Sequence, residues 1–210
     1  MHYASPPAYF SQWGSLEASY FRVVRHDDVS RYSNWRGQGF DTAEDYRRWG
    51  DNSCGVSCVQ SVLDSAQLPI PPKATLIREL TEAGAYVVAA DGHIAGLIYD
   101  PCVRWLSDRW NIKAETVREL SVAEISECVT GGGLAIASVS SEIRFPYSAP
   151  SRRGGHLVLV FGTDGEAFTL HNPSGLAARH APDAVESAEA AVIPIGLFER
   201  FFSHRGILFR

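Results

Sequence analysis

DNSCGVSCVQSVL, residues Asp51 to Leu63, runs from a turn-forming stretch into apolar residues at helical spacing: Val56, Val59, Val62 and Leu63. The spacing predicts a loop turning into a buried helix, with Cys54 at its start. Unpaired backbone N–H groups and the positive end of the helix dipole favour a thiolate there. The same groups can receive charge from an attacked carbonyl.

Such a thiol needs a proton acceptor, and GGHLVLVFGTDGEAFTLHNPSG, residues Gly154 to Gly175, can supply one. Leu157 to Phe161 and Ala167 to His171 read as two strands joined by a turn. If Asp164-Gly165 is a two-residue turn, His156 and Asn172 fall on opposite faces of the sheet. If Thr163-Asp164-Gly165 is a three-residue loop with Gly165 left-handed, His156 lies directly opposite Asn172 and His171 points away. The second register is the expectation, because it lets an amide oxygen hold an imidazole N–H across the strands. Cys54 as nucleophile, His156 as base and Asn172 as the group orienting the ring then make a Cys-His-Asn arrangement. The Cys54 backbone N–H and the Asn52 side chain are candidate donors to the oxyanion. Each residue also has an ordinary reading: Cys54 as core, His156 as surface polarity, Asn172-Pro173 as turn chemistry. The chemistry rests on all three meeting.

The remaining chain sets the frame. Its 210 residues suit a single domain spanning 1–210, with 1–34 an irregular segment, partly short strands, packed on it. Asp41 is a candidate cap for a short helix through Trp49. The Cys54 helix is expected to end near Gln67, and further helices to cover Lys73 to Ala83, Cys102 to Trp110 and Val122 to Val129. The last carries a capping-box signature, Ser121 with Glu124. Short apolar runs then alternate with turn residues: 134–139, 157–161, 167–171, 192–195 and 206–209. A short helix is expected over 197–204, a surface loop over 144–153 and a solvent-facing insertion over 178–190. Helices first and strands afterwards predict an α+β domain, its N-terminal helical part packed on a C-terminal antiparallel sheet.

A net charge of -5 offers no basic surplus for a phosphate backbone, so nucleic acid is not an expected partner. No apolar run approaches the roughly 20 residues of a membrane span, and the first residues lack a signal-peptide pattern. Four cysteines, Cys54, Cys58, Cys102 and Cys128, are too sparse for a disulfide framework and read as free thiols in a reducing, cytoplasmic setting. No Cys or His cluster has metal-ligand spacing, so neither metal nor cofactor is expected.

Trp49 followed by NSCGVSCVQSVL, then GGHLVLVFG, then AFTLHNPSG, resembles the bacterial C39-like cysteine peptidases of the papain-like superfamily. The aromatic residues before Arg205-Gly206-Ile207 resemble the stand-alone members that carry no transporter. The likeness runs from about Ser11 to Arg210. It implies a papain-like fold, Cys54 as nucleophile, His156 as base, and Asn172 where the family commonly places Asp. The oxyanion glutamine of the transporter-linked members, six residues before the cysteine, corresponds to Arg48, the second oxyanion candidate. The expected activity is a thiol peptidase or amide hydrolase working through an acyl-enzyme on a peptide or amide substrate. An acyltransferase using the same thioester and an inactive binding module of the same fold are the alternatives. Arg144, Arg152 and Arg153 hint at an acidic substrate.

Overall fold

Ser121 and Glu124 close the expected capping box in both directions: the Ser121 hydroxyl accepts from the Glu124 N–H, and the Glu124 carboxylate accepts from the Ser121 N–H. In the computed structural model, which describes Tyr3 and residues 6–145, 149–175 and 188–210, that box starts the helix leading into the sheet. The helices are α1 (Leu16–Tyr20), α2 (Ala43–Gly50), α3 (Cys54–Ser65), α4 (Lys73–Glu82), α5 (Tyr99–Trp110), α6 (Val122–Thr130) and α7 (Ile195–Phe201). The strands are β1 (Glu115–Val117), β2 (Leu134–Ser140), β3 (Gly155–Thr163), β4 (Ala167–His171), β5 (Ala191–Pro194) and β6 (Phe202–Phe209). All pair antiparallel in the order β1-β6-β2-β3-β4-β5. The α+β expectation is met.

Alternation along the strands divides the core in two. Ile136, Leu157, Leu159, Phe161, Ile207 and Phe209 join the side chains of α3, α4 and α5. Ala135, Ala137, Val139, Val158, Val160 and Leu208 join those of α6 and α7 on the other face. Helices therefore cover both faces, and every residue of β2 is buried. This explains why its sequence, LAIASVS, contains no charge. Helix α3 is buried almost all round, with only Cys54 and Asp64 partly exposed. Each fully buried Val or Leu there contributes about 1.5–3 kcal/mol.

Three local readings change. Thr42, not Asp41, caps α2: its hydroxyl accepts from the Asp45 N–H at 3.1 Å, and its extended backbone suits the cap position. Residues 16–31 form helical turns rather than strands, because Ser15 and Asp28 each accept a backbone N–H at a turn start. The 144–153 stretch is not all surface, since Arg144 is partly buried and ends a 3-10 turn. Most of the 178–190 insertion lies outside the described residues. Among the described residues no helix is long and apolar enough to cross a membrane.

One buried charge has a measurable cost. Lys73, at the start of α4, is 3% exposed and donates to the Ser11 carbonyl. Burial lowers its pKa from 10.5 to about 7. Between those values the unfolded chain binds the extra proton and the folded chain does not, so stability should rise from pH 7 to 10.5. Lys73→Met should flatten that rise, read as the urea midpoint at pH 7.5 and pH 10. An unchanged slope in the variant would place the effect elsewhere.

Candidate active site

Cys54 opens α3, and the residue before it leaves the helix end uncapped. Ser53 makes no side-chain capping bond; its hydroxyl donates instead to the carbonyls of Gln12 at 3.1 Å and Gly50 at 3.4 Å. The first N–H groups of the helix therefore remain beside the sulfur. Gly55 is needed for close approach rather than for backbone freedom: a Cβ there would come within 2.9 Å of both Leu97 Cβ and Tyr86 Oη. All four cysteines are free; Cys54 is partly exposed and the other three are buried. It lines a cleft of about 700 Å³, which it shares with His156, Leu157, Asn52 and the Ile94–Tyr99 stretch.

His156 is buried near the start of β3. Its Nε2 lies 2.7 Å from Asn172 Oδ1 and 3.2 Å from Ser174 Oγ. The same Oδ1 accepts the Ser174 N–H at 3.1 Å and its hydroxyl at 2.8 Å. A backbone N–H can only donate, so this atom of Asn172 must be oxygen. His156 Nε2 must then carry the proton, which leaves Nδ1 with its lone pair free. Arg144 Nε donates to Ser174 Oγ at 2.7 Å and completes the chain.

Burial pushes His156 from 6.5 down to about 3; the positive charge of Arg144 adds to this, and the Asn172 hydrogen bond opposes it. Burial also raises the Cys54 thiol above 9.0, against the lowering effects of the Leu157 and Gly55 N–H groups and Arg144. At neutral pH the site therefore rests as thiol and imidazole rather than as an ion pair.

The register differs from the expected one. Leu159 pairs with His171 and Val160 with Leu170, while Gly162 pairs with Thr169 and Thr163 with Phe168; a bulge lies between the two sets. Gly165 is left-handed as expected, at φ 93°. However, Asp164 Oδ1 gathers the Glu166 and Ala167 N–H groups at 2.9 and 2.7 Å, which moves the closing pair outward to Thr163 and Phe168. His156 and Asn172 are consequently not directly opposite. Continuing the pairing past His171 puts Asn172 opposite Val158, two residues along and on the face expected for meeting His156. His171 points away, with its Nε2 on the Pro7 carbonyl at 2.8 Å.

The two oxyanion candidates separate. Asn52 lines the cleft, with one amide N–H on the Arg48 carbonyl at 3.0 Å and the other left over. Arg48 instead reaches the Gly92 carbonyl at 3.3 Å and is not part of the cleft lining. Sequence reading missed Ser174, although Asn-Pro-Ser-Gly is an Asx-turn pattern in which the Asn oxygen accepts the N–H two residues on. It also missed the N-terminal clasp. Gln12 N–H donates to Pro173 O at 2.8 Å, its Nε2 to Gly50 O at 3.0 Å, and Tyr9 Oη to Asn172 O at 3.1 Å. Among the described residues no group of three or more His, Cys, Asp or Glu is placed to hold a metal ion.

No family profile and no curated protein matches the chain. Among solved structures it is similar to a provisionally named C39-like peptidase from Bacillus anthracis, with a TM-score of 0.54 and 13% identity over 76% of this chain and 89% of that one. At that identity the likeness is one of fold.

Proposed function

We propose that the protein is a thiol peptidase or closely related amide hydrolase, with Cys54 as nucleophile. The observation that carries this reading is the buried 2.7 Å contact between His156 Nε2 and Asn172 Oδ1, which leaves Nδ1 unprotonated in a residue that lines the same cleft as the partly exposed Cys54. The Cys54 sulfur attacks the substrate carbonyl carbon while its proton passes to His156 Nδ1. The oxyanion takes the Cys54 N–H and the second N–H of Asn52. Collapse breaks the C–N bond, and the imidazolium returns the proton to the leaving amine. Water then attacks the thioester, His156 takes its proton, and the thiol is restored as the acid leaves.

Rapid quenching of the enzyme with an activated acyl ester, followed by peptide mass analysis, should find the acyl group on Cys54. Adding a free amine should leave the product an acid. An acyl group on another residue, or none, would remove Cys54 from the reaction. An amide product would make the protein a transferase.

A further inference from the structure

The cleft carries a local positive charge that the chain as a whole, at -5, does not. Its two lining carboxylates are already occupied: Asp51 by Arg22 at 2.6 Å, Asp100 by Arg118 at 2.8 Å. Arg152 and Arg205 also line it, are exposed, and make no ion pair among the described residues. Glu142, which folds the loop carrying Arg152, is engaged by the Ser151 N–H at 2.7 Å and by the Ser151 and Ser140 hydroxyls.

Both free guanidinium groups lie over one short piece of backbone. A Cβ built on Gly154 would be 2.9 Å from Arg205 Nη2, and one on Gly155 would be 3.4 Å from Arg152 Nη2. Both glycines are left-handed, at φ 82° and 91°, and they lead directly into His156. Side chains there would be strained and, at Gly154, would crowd a guanidinium. Two five-donor forks thus line the cleft beside the proposed reaction centre, each against one of two adjacent glycines, where a carboxylate could be held. The same cleft is also lined by the apolar Ile94, Leu97 and Ile98.

We propose that the cleft selects substrates bearing a carboxylate, seated between Arg152 and Arg205 over Gly154-Gly155. This rests on Cys54 being the nucleophile. An acidic side chain and a chain-terminal carboxylate share the required chemistry.

The test is protection of Cys54 from iodoacetamide by four acetylated peptides at low salt: Glu with an amidated end, Gln with a free carboxylate end, Gln amidated and Lys amidated. A carboxylate peptide should protect at roughly tenfold lower concentration than amidated Gln, with Lys weakest, and added salt should shrink the gap. Whichever carboxylate arm protects identifies its source. Arg152→Gln with Arg205→Gln should erase the difference, each single variant should erase part of it, and Arg153→Gln, outside the lining, should keep it. Equal protection by neutral and acidic peptides, or protection by none, overturns the carboxylate site while leaving the thiol assignment intact. Failure of iodoacetamide to modify Cys54 at all overturns that assignment, and the carboxylate site falls with it.

Discussion

His156→Ala should slow hydrolysis by about 10²–10⁴-fold, the usual contribution of a positioned general base, and Cys54→Ala should remove acyl-enzyme formation altogether. The same His156 variant should slow alkylation of Cys54 by a neutral reagent, because this thiol, raised above 9.0 by desolvation, has little thiolate of its own at neutral pH. The wild-type protein should be modified at Cys54 in preference to the buried Cys58, Cys102 and Cys128. The pH profile is a further check. With His156 pushed down to about 3, kcat/KM should lose activity on the acid side near that pH rather than near 6.5. Equal labelling of all four thiols, unchanged in the His156 variant, would remove both residues from the mechanism.

Asn172→Ala should lower turnover by about 10²-fold, the loss that accompanies ångström-scale misplacement of a reacting group. The physical cause is specific. One oxygen accepts the His156 ring N–H, the Ser174 N–H and the Ser174 hydroxyl, all buried. Without it three donors lose their acceptor, and at about 1–3 kcal/mol for each group left unmade the fold should also lose at least about 3 kcal/mol. Asn172→Asp separates orientation from stability. A carboxylate can accept the same three bonds, so folding and ring position should persist. Its charge should raise the His156 pKa and move the acid limb of kcat/KM upward. A variant with unchanged acid limb would show that Asn172 does not govern the ring.

What could be read from the residues follows how local each cause is. The capping box at Ser121 and the helix opening at Cys54 involve neighbours within four positions, and both appear where expected. The hairpin was harder. Asp164 collecting two N–H groups and the bulge beyond Val160 shift the pairing, and the sequence rule counted only loop length. The face on which Asn172 meets His156 was nevertheless right, because the two changes together preserve the parity of the strand. Arg48 stands six residues before the thiol, yet from the last turn of α2 its guanidinium reaches the Gly92 carbonyl. Arg144 and Gln12 have no signal from spacing, and the Asx-turn pattern at Ser174 does not show its link to the imidazole. Their roles arise from contacts across 30 residues or more, or from a turn whose second use shows only once the imidazole is in place.

Tyr9 and Gln12 tie the backbone around Asn172 to the loop before Cys54, so this segment is held by one synthesised more than 150 residues later. A nascent chain emerging from the ribosome therefore lacks the His156 imidazole and the clasp until Pro173 is out. In synthesis the Cys54 thiol thus precedes both its proposed base, His156, and the clasp.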